Sequence, residues 1–251
     1  MQIRVITLGK STQLIGKLKS LFPESDVRIQ AGIDLRRTPT DILFDSNMIT
    51  HSVVHTLNHG RRWHHEVPSK GAVGLAQANR LALGENTDVP LLLLEEDCII
   101  SQPNKFKREV AHLLSHADKF DLATFGCLYR GSGSLQSASW LPDGFSILKD
   151  KFWLTHCVLY TPSGRSKVKN LLSGPLEMQI DSLYGSEAKM KRLTVVGQLK
   201  NSSTRQSRHL SHIQIGENTW RMVCSRILAL VLVLYFGMCT YKVRYRRSPL
   251  K

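Results

Sequence analysis

The feature that most constrains this chain is the run Leu91, Leu92, Leu93, Leu94 followed by Glu95, Glu96 and Asp97, entered from Pro90 and left through Cys98, Ile99 and Ile100. An apolar run without alternation reads as a strand buried on both faces, the pattern that a parallel sheet gives its central strands. Such a strand needs helices on either side, so the run points to an α/β fold. The three carboxylates then fall where the strand leaves the sheet, at the edge where open α/β sheets bind ligands. Neighbouring carboxylates repel one another unless cations neutralise them. Carboxylates with a free coordination position suit Mg²⁺ or Mn²⁺, which commonly bridge to a substrate's phosphates. A solvated acidic turn is the competing reading of the same residues.

The flanking pattern extends the α/β reading. Ile3, Val5, Ile6 and Leu8 form a strand ending at Gly9, Ser11 or Thr12 opens a helix carrying Leu14, Ile15, Leu18 and Leu21, and Val27 to Ala31 gives a second strand, with Asp34 just beyond it. Gly9-Lys10-Ser11-Thr12 imitates the end of a P-loop, but Arg4 stands where the earlier glycine of that cradle is required. Residues 34 to 69 are polar and rich in histidine, and read as a loop or insertion with one short helix. His51, His55 and His59 share an i, i+4 spacing that can bind zinc or line a solvated helix face. Lys70 to Leu83 reads as a helix whose small residues Gly71 and Gly74 permit close approach to a ligand or another backbone.

Beyond the acids, Phe106, Val110, Leu113 and Leu114 mark a helix, and Asp121 to Cys127 a strand. Tyr129 to Leu141 is a glycine- and serine-rich loop carrying Arg130, of a kind that can close over a site. Trp153 to Tyr160 reads as a strand, and Ser163 to Leu172 as a helix opened by Pro162. Glu177 and Asp181 precede or open another helix, Leu193 to Val196 gives a last strand, and Asn201 to Arg208 a polar, basic tail.

A length of 251 residues accommodates one full α/β domain, placed at residues 1–212, and an appendage at 213–251. The net charge of +14 admits nucleic acid, anionic lipid or a phosphate-bearing substrate as partner, and the basic excess is largely C-terminal. No aromatic interleaving or binding module accompanies the basic residues, so a nucleic-acid partner is not expected, although a basic nucleic-acid-binding protein remains the rival class. Cys98, Cys127, Cys157, Cys224 and Cys239 are odd in number and form no C-x-x-C pair, which speaks against a zinc ribbon or a disulfide framework and for a reducing compartment. Ile227 to Tyr241 is apolar and uncharged, flanked by Arg221 and Arg226 before and by Lys242, Arg244, Arg246 and Arg247 after. It reads as a hydrophobic helix making a single C-terminal membrane pass, with the main domain in the cytoplasm.

The order of these blocks resembles glycosyltransferase family 25, the lipopolysaccharide and collagen β-galactosyltransferase group. Four blocks carry the likeness: the opening Ile3 to Leu8 strand and helix, Lys70-Gly71-Ala72-Val73-Gly74-Leu75 through Leu83, Leu94-Glu95-Glu96-Asp97 against the family's L-E-D-D, and His156 to Leu172 with Asp181 beyond. Gln77 to Arg80 differs from the family's Ser-His pair, and Glu96 from its middle aspartate. The resemblance implies a GT-A type nucleotide-sugar-binding sheet flanked by helices. It also implies a metal-dependent inverting transfer of galactose or another hexose from a nucleotide-sugar, a UDP-sugar, to a hydroxyl of a glycan, glycolipid or protein. On that reading Glu95 and Asp97 hold Mn²⁺ or Mg²⁺, and Glu96, turned the other way, supports them by a hydrogen bond. Asp181, with Glu177 second, serves as the catalytic base. Leu8, Gly9, Lys10, Asp34, Gly71, Gly74 and Arg130 bind the donor, and His209 and His212 are candidates for a further metal contact. An inactive, membrane-tethered scaffold is the alternative.

Overall fold

The computed structural model describes residues 1–9, 11–85, 87–132 and 135–207. The chain opens as expected with β1 (Gln2–Thr7), α1 (Thr12–Leu21) and β2 (Asp26–Ala31), the two strands parallel and in register from Gln2 opposite Asp26 to Thr7 opposite Ala31. The histidine-rich segment holds two helices rather than one, α2 (Thr40–Asp45) and α3 (His51–His59). His55 and His59 stack with ring centroids 4.4 Å apart, and the imidazole of His59 bonds the carbonyl of His55. Among the described residues no three His, Cys, Asp or Glu side chains converge as a ready-made metal cage.

Helix α4 (Lys70–Gly84) starts where the Ser69 hydroxyl accepts the amide proton of Ala72, an N-cap bond that satisfies one of the first-turn donors. The leucine run is β3 (Leu91–Glu95), and after the acidic turn a short β4 (Cys98–Ile100) continues the chain. Helix α5 (Pro103–Leu114) begins with its proline, whose missing N–H costs nothing there. There follow β5 (Leu122–Thr124), β6 (Leu128–Tyr129), β7 (Phe145–Leu148), β8 (Phe152–Trp153), β9 (Cys157–Tyr160), α6 (Pro162–Leu171), α7 (Ile180–Lys189), β10 (Val195–Gln198) and β11 (Thr204–Gln206).

The main sheet runs β2-β1-β3-β9-β5-β10-β7. β3 is parallel to β1 but antiparallel to β9, and β7 is antiparallel to β10, so the sheet is mixed rather than purely parallel. An unbroken apolar run reports burial of both faces, not the direction of the neighbours, and here the burial is as expected. Leu91 and Leu93 pack in one layer with Val158, Tyr160, Val73 of α4 and Val168 of α6. Leu92 and Leu94 pack in the other with Ile3, Val5, Leu18 of α1 and Phe106, Val110 and Leu113 of α5. At about 2 kcal/mol per fully buried leucine, this strand is a principal anchor of the domain.

Three expectations are corrected. The strand expected over Trp153 to Tyr160 is divided at Leu154, where φ is +77°, into β8, which pairs with β6, and β9, which joins the main sheet. The strand Phe145–Leu148 carries no clear period and was not anticipated. The polar tail after Asn201 is no mere tail: β11 pairs antiparallel with β4, from Thr204 opposite Ile100 to Gln206 opposite Cys98. The expected anchor at 227–241, the appendage at 213–251, Lys10, His209 and His212 lie outside the described residues. Among the described residues no helix is long and apolar enough to cross a membrane.

Candidate functional site

A shallow, open cleft lies at the carboxyl ends of β1 and β2, lined by Thr7, Leu8, Gly32, Asp34, Arg36, Gly71 and Glu96 with Ile6, Ile33 and Leu75. It forms because α4 approaches the chain beyond β2 so closely that a Cβ on Gly74 would stand 1.9 Å from the Ile33 carbonyl oxygen. Gly74 is therefore buried packing, not part of the cleft wall, and it sets Gly71 in place one turn earlier. Of the sequence-expected donor residues, Leu8, Asp34 and Gly71 line the cleft. Gly9 adjoins it, its amide donating to Thr7 Oγ1 at 2.9 Å. Asp34 is exposed and held by Arg36, whose Nε reaches Oδ1 at 2.7 Å and Nη2 reaches Oδ2 at 2.6 Å; these bonds hold the Asp34 carboxyl down to about 2.

Of the three acids of the turn, Glu96 alone lines this cleft. Thr7 Oγ1 donates to Glu96 Oε2, so the end of β1 ties the middle acid into the cleft wall. The amide of Glu96 donates to the Ile6 carbonyl at 3.0 Å, which extends the β1–β3 pairing into the turn.

Glu95 and Asp97 occupy the other side of the turn. Burial of its carboxyl, with the charges of Asp97, Asp181 and Glu96, pushes Glu95 up to about 8. Burial also raises Asp97, against the opposing bond from Gln206. Gln206 Nε2 donates to Asp97 Oδ2 at 2.9 Å, and the Ser207 amide donates to the Asp97 carbonyl at 2.8 Å. Asp97 Oδ1 is buried and receives no hydrogen bond among the described residues. A buried carboxylate oxygen left without a donor costs free energy, on the order of 1–3 kcal/mol, unless something binds it. The orphaned oxygen of Asp97 has the chemistry of a ligand to a hard divalent cation, although neither Glu95 nor Asp97 lines the cleft and, among the described residues, no three such side chains converge.

Asp181 lies in the first turn of α7 and is drawn to the same place, since its charge acts on Glu95. Its carboxylate accepts the amide of Ser182 at 2.7 Å and the backbone of Leu154, the residue at positive φ between β8 and β9. Burial outweighs these bonds and raises its carboxyl to about 6. Nearby, the exposed Arg130 guanidinium lies 4.9 Å from the centre of the Trp153 ring, a cation–π contact, and His64 packs on the same ring at 4.9 Å. Glu177 is exposed on the connection before α7 and contributes no charge to the Glu95 cluster. Sequence reasoning missed Thr7 and Gln206. Neither carries a motif, and Gln206 reaches the site only because β11 folds back on β4.

No protein-family model and no curated protein matches the chain. Solved structures similar to it include UDP-glucose pyrophosphorylase from Acinetobacter baumannii, 11% identical over 82% of this chain and 87% of that one, TM-score 0.45. A putative glucose-1-phosphate thymidylyltransferase from Bacillus anthracis is 16% identical over 82% and 89%, TM-score 0.42. The inositol-1-phosphate CTP transferase of T. maritima is 11% identical over 84% and 91%, TM-score 0.39. These values describe a loose overall likeness and assign no activity.

Proposed function

We propose that this chain is a metal-dependent, inverting glycosyltransferase of the family 25 kind, which takes a hexose from a nucleoside-diphosphate sugar and passes it to a hydroxyl acceptor. One observation carries the reading. Glu95 and Asp181, far apart in sequence and on different elements, share one electrostatic site at the carboxyl edge of the sheet, beside a cleft that joins the end of β1 to the acidic turn. Side chains are rarely gathered into a repulsive, partly desolvated group for structural reasons, and such groups mark functional sites.

In this mechanism the nucleotide enters the cleft between Leu8, Asp34 and Gly71. Glu95 and Asp97 are the residues that would hold Mg²⁺ or Mn²⁺, and a cation bound there neutralises the charge of the departing diphosphate. The acceptor hydroxyl oxygen forms a bond to the anomeric carbon while the bond from that carbon to the diphosphate oxygen breaks. The hydroxyl proton passes to the Asp181 carboxylate, and the nucleoside diphosphate leaves with the bonding electron pair. A base whose pKa is lifted to about 6 remains mostly ionised at neutral pH and is a stronger base than an ordinary aspartate. Arg130, stacked on Trp153, stands where a loop could cover the sugar and exclude water. The apolar segment 227–241 is proposed to tether the domain to a membrane, which fractionation of the full chain with and without those residues tests.

The test of the activity is incubation of the full chain with MnCl₂ and a panel of radiolabelled nucleotide sugars, with and without glycan acceptors. Metal-dependent release of nucleoside diphosphate that is lost in Asp97→Asn supports the proposal. Formation of pyrophosphate from a nucleoside triphosphate and a sugar 1-phosphate, or no nucleotide binding at all, overturns it.

A further inference from the structure

The two-stranded ribbon of β6 and β8 presents a differently charged surface at the same edge of the sheet. Leu128 stands opposite Trp153 and Tyr129 opposite Phe152, and the amide of Arg130 donates to the Lys151 carbonyl at 2.8 Å, which carries the pairing one residue further. Side chains paired across strands share a face. Tyr129 and the buried Phe152 therefore face the core, while Leu128, Arg130, Lys151 and Trp153 share the outer face, where Arg130 and Lys151 are exposed. The Arg130 guanidinium lies over the Trp153 ring and has no carboxylate partner among the described residues. Asp150, the acid nearest in the chain, is buried; it faces Lys189 at 3.8 Å and accepts the Lys151 amide. A guanidinium stacked on an indole is held by the ring but keeps its in-plane N–H donors for a ligand, and those donors match a carboxylate or phosphate. The ring face on which a neutral sugar would stack is taken by the guanidinium itself.

The place of this surface decides what would bring the anion. In the main sheet β3 lies between β1 and β9, and β9 is antiparallel to β3, with Cys157 opposite Leu94. The Glu95 amide donates to the His156 carbonyl at 2.9 Å, so residues 153–156 stand beside the acidic turn on the side of β3 away from β1. Leu154, next to Trp153, donates its amide to Asp181, and the charge of Arg61 acts on the same carboxylate. The cleft and the ribbon thus flank the acidic turn from opposite sides, and a ligand on Arg130 lies on the side of Asp181. We propose that Arg130 binds a carboxylate or phosphate carried by the acceptor saccharide, so that this chain prefers acidic acceptors over neutral ones. The inference rests on the glycosyltransferase reading given above, and it adds an acceptor ligand to a residue that the sequence placed with the donor.

The test is calorimetric titration of the full chain at low salt with methyl β-glucoside, methyl β-glucuronide and methyl β-glucoside 6-phosphate, which share one ring and differ in the charged group. A charge-assisted pair predicts that at least one acidic form binds about tenfold or more tightly than the neutral one, and that added NaCl reduces the difference. Comparison of the glucuronide with the phosphate tells which group the site takes. Arg130→Gln, at an exposed position, is expected to bring the acidic and neutral forms within about threefold with an unchanged unfolding midpoint. Equal binding of all three glycosides by the wild type, no binding of any, or a preference that persists in Arg130→Gln overturns this inference and leaves the transfer assay with neutral acceptors to decide the activity. A fall in UDP affinity in Arg130→Gln, measured with MgCl₂ and with the saccharide preference intact, places Arg130 on the donor and also overturns it. An acidic preference abolished by Arg130→Gln in a chain that transfers no sugar leaves the saccharide site standing and overturns the glycosyltransferase reading instead.

Discussion

The two ends of the central sheet treat buried charge in opposite ways. At the amino edge Arg4 is 2% exposed, yet its guanidinium meets Glu85 at 2.6 Å and Asp26 at 2.9 Å and donates to the Asp26 and Ile3 carbonyls. Arg165, fully buried beside it, is bonded to Gln2 and to the carbonyls of Val89 and Ala82. These bonds lock the starts of β1, β2 and β3 to the end of α4. At the carboxyl edge Glu95, Asp97 and Asp181 act on one another or on their neighbours as like charges, and Asp97 Oδ1 has no hydrogen-bond partner among the described residues. The amino edge gives Arg4 two carboxylate partners, although Arg165 Nε is buried without a partner among the described residues. The other leaves acid unsatisfied, a free-energy cost that makes sense where a ligand completes the site.

If that contrast is right, mutations at the two ends should have opposite signatures. The largest effect is expected for Asp97→Asn, which removes the negative charge and replaces one acceptor oxygen with an amide NH₂ donor. Transfer activity should fall about 10³-fold, equivalent to ~4 kcal/mol of barrier. Thermal unfolding without added metal should be unchanged or shifted upward, because an enclosed acid has been neutralised. A parallel loss of stability would mean that Asp97 is structural.

At the amino edge the ordering reverses. The double variant Asp26→Asn, Glu85→Gln leaves the Arg4 guanidinium buried with only neutral partners. Breaking a buried pair in this way costs about 3 kcal/mol or somewhat more, with the partners' partial exposure holding it near the lower figure. Chemical denaturation should show this loss, and nucleotide binding by the surviving folded protein should be unaltered. Loss of binding with intact stability would show that the two ends are not independent.

How much of this could be read in advance follows the same division. The carboxyl edge was legible, because an uninterrupted leucine run after a proline reads as a doubly buried strand and places the acids that follow it at the sheet's rim. The helix with Gly71 and Gly74 and the position of Asp181 after a strand and a helix were also legible from local pattern. What was hidden depends on partners distant in the chain. Whether β9 runs parallel or antiparallel to β3 leaves no trace in four leucines. Arg4 looked only like a missing P-loop glycine, since its partners are 22 and 81 residues away. Gln206 sat in a stretch with no period long enough to mark a strand. Gly74 had the right residue type for a ligand approach, and its Cβ space is instead taken by the Ile33 carbonyl.

Gln206 provides a smaller test at the carboxyl edge itself. Its amide holds Asp97 Oδ2, which leaves Oδ1 as the oxygen without a donor among the described residues. Groups that orient a metal-binding carboxylate typically contribute tenfold or more to affinity. Gln206→Leu should therefore weaken Mn²⁺ binding about tenfold, read by electron paramagnetic resonance of free Mn²⁺. Because β11 keeps its backbone pairing with β4, the unfolding midpoint should move little. Unchanged Mn²⁺ affinity would mean that the bond from Gln206 is incidental to the site.

The finest comparison is between two acids of the same edge. Glu109 on α5 is 5% exposed, but unlike Asp97 both its oxygens have donors: Gln198 Nε2 at 2.7 Å on Oε1 and Ser203 Oγ at 2.5 Å on Oε2. Burial still outweighs those bonds and the charges of Lys105 and Arg108, and raises its carboxyl above the usual glutamate range. A folded-state pKa above the unfolded value means that the unfolded chain releases this proton first as pH rises. The Glu109 contribution to stability is accordingly greatest below the unfolded value, near pH 4.5, and declines as pH climbs through the interval to the folded one. Glu109→Gln cannot titrate, so its stability relative to wild type should improve from pH 4 towards pH 7, measured by urea unfolding at each pH. The effect is expected to be the smallest of the four, because neutral donors on both oxygens, where Asp97 has one on Oδ2 alone, already stabilise the ionised form. A relative stability that falls with pH would mean that Ser203, Gln198 and Lys105 together overcome burial, making Glu109 a charge satisfied as fully as Arg4.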